Sequence, residues 1–390
     1  MSDYDVLLHG DVWDAEQGLQ EEKWVAVNNG VIDDLYDEKP GEATHEHELE
    51  VITPGLIDLH VHLVWDGSGD PVSTLRQQSE QEQTIHAVAM ARKTVEGGVT
   101  TIRDVGSTHD IAISVAAAAR REKISGPRIL ASGQTVIISG GHDPFWGIAS
   151  DGVDAVRSTV RKQRNKGAEV IKISATGGVY GQAVGEDPGT SELSLEEVTA
   201  AVEEAHRFDL PVAVHAVGAE GIENSITAGV DTLEHGNLMS SESLERMVEK
   251  DIVYEPTLYI YKTVAEGSEN IPEYAQKNAE RIYEHHWDVY RKALESDVRI
   301  TAGSDAGSPD IPHPALHHEL RCLVDGGMTE KEALTAATKT PAEEIEHPGL
   351  GVLAPGTPAD IVGFDGDPLA DIEQTGSPSV VVSDGEVVRE

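Results

Sequence analysis

The chain has 390 residues, with 70 Asp and Glu against 29 Lys and Arg, a formal net charge of −41 spread along its whole length. A field of that sign repels nucleic-acid phosphates and anionic membrane surfaces and excludes both as partners; the length calls for one large barrel with a smaller unit attached, or for two to three ordinary domains. The single cysteine, Cys322, excludes an intramolecular disulfide and a cysteine metal cluster.

The first residues, MSDYDVLLHGDVWD, carry no basic stretch followed by an apolar one, and no apolar run reaches the ~18 residues of a bilayer span. A cytoplasmic location is expected. Residues 1–54 read as short strands with turns, and Asn29-Gly30 between the apolar runs of VAVNNGVIDDLY signals a tight hairpin. From residue 55, β-rich runs alternate with amphipathic helical stretches. The runs are GLIDLHVH (55–62), TTIRDVG (100–106), RILASGQTV (128–136), EVIKISA (169–175), PVAVHAV (211–217), TLEHG (232–236), IVYEPTL (252–258) and RITAGSDA (299–306). Eight such strands predict an α/β fold, a (β/α)8 TIM barrel spanning 55–352. Ser194 with Glu197 forms a capping box, and Gly97, Gly167 and Gly229 stand where helices should stop. ADIVGFD and SVVVSDGEVVRE are strand-like again, so 1–54 and 353–390 are expected to combine into one small β-sandwich.

His60 and His62 lie two apart on the first barrel strand, so both side chains leave the same face. Such a pair is also common as a merely structural feature. His215, His235 and Asp305, however, end the fifth, sixth and eighth strands, and the C-terminal strand ends are where barrel active sites form. Five side chains of metal-binding type at that one face point to a metal centre. Lys172 ends the fourth strand, where a buried ammonium needs a partner, such as Asp305 or Asp104, or must lose its charge. A neutral amine can add carbon dioxide to give a carbamate, an anionic ligand able to bridge two cations ~3.5–4 Å apart.

The segments TPGLIDLHVHL, TTIRDVGS, IKISATGG, VAVHAVG, TLEHGNL, ITAGSDAG and GVLAPGTPADIVGFDGDPLADI cover nearly the whole chain. Together they resemble the amidohydrolase superfamily, in its binuclear branch of imidazolonepropionase-related enzymes and Xaa-Pro and Xaa-Arg/Lys dipeptidases. The resemblance implies two divalent metal ions, usually zinc. His60, His62 and Asp305 would hold the more buried one, His215 and His235 the more exposed one, and carboxylated Lys172 would bridge them. It also implies a metal-bridging hydroxide as nucleophile, Asp305 as base and then acid, and a homo-oligomer.

His142, in SGGHDPFWG after the third strand, is expected to overhang the barrel mouth and meet a substrate carbonyl or carboxylate; the alternative is a solvent-exposed loop histidine. Val217 stands two residues after His215, where many relatives carry a tyrosine or histidine that polarises the scissile carbonyl. Either His142 and the more exposed metal take over that task or the substrate differs. Tyr180, Gln182, Tyr259 and Tyr261 are placed around the pocket, and the glycine-rich TGGVYGQAVG lacks the ending of a phosphate loop and reads as a rim loop. Arg103 and Asp104 read either as an ion pair behind the first metal ligands or as barrel packing. Cys322 is assigned no chemistry.

The expected activity is hydrolysis of an amide or cyclic-amide C–N bond in a small molecule with a free carboxylate, a dipeptide of the Xaa-Pro kind or an N-acyl amino acid. A lactonase, an organophosphate hydrolase or a deaminase on the same fold remains open, as does a non-catalytic scaffold. The bridging lysine argues against a mononuclear deaminase, and six retained ligands argue against a scaffold. The acidic surface points to a halophilic host, because salt near 1 M shortens the Debye length to ~3 Å and relieves the self-repulsion. Raising KCl from about 0.1 M to about 2 M should therefore raise the melting temperature by several degrees; a flat or falling value would contradict this reading of the charge.

Overall fold

The computed structural model describes residues 3–180, 187–347 and 349–390. The N-terminal strands are β1 (Tyr4–Asp14), β2 (Gly18–Asn28), β3 (Val31–Tyr36) and β4 (Ala43–Pro54). The expected hairpin joins β2 to β3: Asn29 and Gly30 both have positive φ, 53° and 82°, the conformation a two-residue turn between twisted strands requires.

The barrel begins with β5 (Leu56–Val61), β6 (Val99–Asp104) and β7 (Arg128–Ala131). It continues through β8 (Val136–Ile137), β9 (Ile148–Ala149), β10 (Ile171–Ser174), β11 (Val212–Ala216), β12 (Thr232–His235) and β13 (Val253–Glu255), with every named pairing parallel. Two expected strands differ in form. The third run breaks after Ala131, and its last residue, Val136, belongs to the separate short strand β8, which pairs with β10. The eighth run, 299–306, is not a regular strand. It closes the barrel through isolated parallel bridges, Tyr254 with Ile300 and Val61 with Ala306, and through Asp305 N donating to His60 O at 2.9 Å. Regular pairing fails there because Asp305 takes a left-handed φ of 57° and Gly303 passes close to its neighbours: a Cβ on Gly303 would lie 2.2 Å from Glu255 Oε1 and 2.8 Å from His60 Cβ.

Helices cross between the strands where the punctuation places them. Ser194 and Glu197 exchange both capping-box hydrogen bonds, and Gly97, Gly167 and Gly229 cap helix C-termini, the last two in left-handed conformation. Cys322 is buried on helix Leu316–Gly326, where burial pushes its thiol pKa up. Among the described residues no helix is long and apolar enough to cross a membrane.

After the barrel come β14 (Ile361–Phe364), β15 (Val380–Ser383) and β16 (Glu386–Arg389). They join the N-terminal strands in one hydrogen-bonded order, β16-β15-β14-β4-β1-β2-β3. That ribbon folds over on itself as a sandwich: Val31 bridges to Pro358, and Val6, Leu8, Val25, Val27, Ile32, Ile52, Ile361, Val380 and Val382 form one buried apolar cluster. Arg128 ties sandwich to barrel, with Nη2 donating to Asp360 Oδ2 at 3.2 Å and to Asp384 Oδ1 at 2.8 Å.

Candidate metal centre

One cavity, with an empty volume of about 630 Å³, is lined by His60, His62, Lys172, His215, His235 and Asp305 together. All six are buried. The end of β5 presents His60 and His62, whose Nε2 atoms lie 3.7 and 3.4 Å from Asp305 Oδ1. The His235 ring is 5.1 Å from that of His60 and 4.6 Å from that of His215.

Neighbouring groups fix which nitrogen of each histidine carries its proton. Gly106 O lies 3.2 Å from His62 Nδ1, and Gly177 O lies 3.2 Å from His215 Nε2; a carbonyl only accepts, so those nitrogens donate. Thr257 Oγ1 gives its own proton to Pro256 O and therefore accepts from His235 Nδ1 at 2.6 Å. His60 Nδ1 faces the Glu255 carboxylate at 3.4 Å. Each ring is thus left with one bare nitrogen, as metal-binding imidazoles are when a second hydrogen bond sets their tautomer. His60, His235 and Asp305 supply ligand atoms within 4.8 Å of one another, as do His60, Glu234 and Glu255. Imidazole nitrogen and carboxylate oxygen form a donor set suited to zinc, and the geometry fits a cation.

Beneath this cluster is a charge network that the sequence patterns do not reveal. Lys172 Nζ lies against Glu234, not against Asp305 or Asp104. Arg103 does not pair with Asp104. It donates from Nη2 to Glu255 Oε2 at 2.8 Å, from Nη1 to Thr232 Oγ1 at 3.0 Å and from Nε to Leu59 O at 2.7 Å. Asp104 instead holds the turn after β5, accepting from Leu63 N at 2.9 Å. Glu234 and His235 are adjacent yet both enter the interior, because His235 has a left-handed φ of 68° that breaks strand alternation. A glutamate inside an apolar strand, as in TLEHG and IVYEPTL, is the signal that could have found it, since it demands a countercharge just as Lys172 does.

Burial favours the neutral form of every group in the site, but at His62 the adjacent Asp305 carboxylate outweighs it and raises the imidazole pKa. Burial draws the Lys172 ammonium down to about 7, against the attraction of Asp143 and with the repulsion of Arg103. It holds His60 down to about 4 and His215 and His235 well below the usual imidazole range. For Asp305, burial favours the neutral acid, but His60, His62 and the 2.6 Å hydrogen bond from Ser308 Oγ outweigh it and hold the carboxyl well below the usual carboxylate range.

Around the cluster the cavity wall is aromatic: Trp65, Phe145, Trp146, Tyr180 and Tyr261, with Ile260 and Val264. His142 also lines it, its ring stacked on His215 with centroids 4.2 Å apart. Asp143, which no sequence motif marks, is buried there with Oδ1 3.2 Å from His142 Nε2. Tyr259 does not line the cavity; it stacks on His318 at 4.6 Å instead, turned away as helix Leu258–Glu266 begins. Val217 packs in the apolar core, outside the lining. Gln182 lies outside the described residues, as does the second half of the glycine-rich stretch expected at the rim.

The model of the Amidohydrolase family matches residues 51–388. Ochratoxinase from Aspergillus niger is 30% identical over 367 residues, covering 86% of this chain and 74% of that protein. The crystal structure of a Xaa-Pro dipeptidase with methionine bound in its active site superposes with a TM-score of 0.88 at 32% identity, covering 98% of this chain and 99% of the other. A prolidase complexed with N-methylphosphonate-L-proline gives a TM-score of 0.89 at 27% identity, over 99% of both chains.

Keeping His60 neutral stabilises the metal-free protein only at higher pH. The unfolded histidine titrates near 6.5 and the folded one near 4, so this contribution is complete above pH 6.5 and is lost as pH falls towards 4. In urea unfolding of metal-free protein, wild type should lose about 2 kcal/mol more than His60→Asn between pH 7 and pH 5; equal losses would contradict the assignment.

Proposed function

The chain belongs to the amidohydrolase family and is a hydrolase acting on carbon–nitrogen bonds, and from that premise we propose that it cleaves the amide bond of an amino acid derivative bearing a bulky apolar group, a dipeptide of the Xaa-Pro kind or an N-acyl amino acid. The observation that carries this reading is the aromatic wall of Trp65, Phe145, Trp146, Tyr180 and Tyr261 standing over the histidine and aspartate cluster. Apolar walls bury a substrate's bulk while a few polar groups fix its orientation. The Xaa-Pro dipeptidase and the prolidase are similar proteins whose names denote the same class of bond.

In this proposal His60, His62 and Asp305 would hold one divalent ion and His215 and His235 a second, and Lys172, if carboxylated, would supply both with an anionic oxygen ligand. Zinc fits the donor set, which also accepts manganese, iron or cobalt. When bound, such ions acidify water and polarise a carbonyl.

The chain's own residues supply orientation and proton transfer. Asp305 is kept ionised, and Ser308 occupies Oδ1, so Oδ2 is the atom that takes a proton from the attacking water and returns it to the departing nitrogen. His142, above His215, donates to the substrate's carbonyl oxygen or carboxylate. Among the described residues no arginine lines the cavity, which leaves His142 as the group for a substrate carboxylate. The core position of Val217 agrees with that division of labour. Asp143 favours dipeptides over N-acyl amino acids, because its buried carboxylate would meet a free substrate ammonium.

A panel of Xaa-Pro dipeptides, their N-acyl counterparts, lactones and phosphotriesters tests the proposal. The amides should be turned over fastest, and Asp305→Asn should lower kcat by about 10²–10⁴-fold with little change in KM. Preferred turnover of lactones or phosphotriesters, or an active Asp305→Asn variant, would contradict it.

A further inference from the structure

We propose that His45, His47 and Glu390 form a second kind of metal site, on the sandwich and separate from the barrel, which takes a divalent transition-metal ion of the zinc type. His45 and His47 lie on β4, where exposure alternates: Thr44, Glu46, Glu48 and Glu50 face solvent, while His45, His47 and Leu49 are half-buried. The two histidines pair in register with Val6 and Leu8 of β1, whose side chains belong to the apolar core of the sandwich. Two imidazoles thus occupy an inward-facing row in which apolar side chains are the rule, and they leave the strand on the same side, two residues apart.

Glu390, just beyond β16, completes the set. Its Oε2 lies 3.3 Å from His45 Nδ1 and 3.5 Å from His47 Nε2, and all three ligand atoms are within 4.8 Å of one another. Nitrogen and oxygen ligands ~2.0–2.1 Å from a tetrahedral zinc lie about 3.3–3.4 Å apart, so the two measured separations match the edges of such a site. His47 Nε2 is buried and makes no hydrogen bond, although it faces the carboxylate. A cation between the three atoms would satisfy it. Three protein ligands leave a fourth position for water, and the overall charge of −41 draws cations to this surface.

The position gives the ion a structural task. β14 pairs with β4 over its last residues, Val51 to Pro54, so among the described residues the first half of β4 has β1 alone as a strand neighbour. An ion held by His45, His47 and Glu390 ties that free half to the end of the last strand. Because only the folded chain assembles the ligands, metal binding adds to stability.

The test uses the full-length protein equilibrated at a buffered micromolar concentration of free zinc. Bound zinc is counted by elemental analysis, and melting is followed with and without zinc. Glu390→Gln and His47→Gln should each hold one zinc equivalent fewer per chain than wild type, reduce the zinc-induced rise in melting temperature and leave amide hydrolysis unchanged. Glu390 is more than half exposed, so its variant should melt with wild type in chelator, which separates ligand loss from misfolding. Equal zinc content in wild type and both variants would overturn the proposal, as would a difference seen only at millimolar zinc.

Discussion

Arg103 and Lys172 are 2% exposed and Glu234 and Glu255 fully buried, and an ionised group at such depth costs several kcal/mol unless opposite charge and hydrogen bonds meet it. In the metal-free chain with Lys172 unmodified, the barrel answers by placing them against one another, with Arg103 on Glu255 and Lys172 on Glu234. This arrangement sets the height of everything above it. Glu255 turns the His60 ring so that Nε2 faces Asp305, and Thr257, two residues further on, does the same for His235. The left-handed backbone at His235, Thr257 and Asp305 is strain of the kind that persists only where surrounding contacts hold it, and all three residues sit in or beside the cluster.

The parts of this arrangement that follow chain periodicity are legible in the sequence itself. His60 and His62 share a face because strands alternate, and His215, His235 and Asp305 meet because barrel strands end at one rim. Glycines and capping residues mark the helix ends for equally local reasons. What the sequence hides depends on departures from periodicity. On an ideal strand His235 would point away from Glu234, and its left-handed φ brings both to the same side. The run 299–306 has the composition of a strand, yet its residues are fixed by the close approach of Gly303 to Glu255 and by the turn at Asp305. Tyr259 follows a strand end closely enough to suggest a place in the pocket; the helix that starts at Leu258 turns it towards His318. Asp143, next to His142, depends on a loop conformation that no pattern in SGGHDPFWG specifies.

The same contrast bears on substrate choice. The side chains proposed to bind metal come from strand ends and are set by the fold, whereas most of the aromatic wall comes from loops, Trp65 after β5, Phe145 and Trp146 after β8 and Tyr180 after β10, with Tyr261 added from helix Leu258–Glu266. A shared centre with divergent loops lets one barrel serve many amides. Val217 illustrates the point, since it packs in the core while His142 and Asp143, both from a loop, line the cavity.

The central proposal is that six side chains hold two ions through a carboxylated Lys172. Its most direct test is the metal content of the Lys172→Ala variant, measured in a Glu390→Gln background so that the sandwich does not contribute. The proposal predicts about two equivalents per chain in the parent, falling to one or none on loss of Lys172, with bicarbonate needed to reload the parent but not the variant. Two equivalents retained without Lys172, or none in the parent loaded with zinc and bicarbonate, would contradict it.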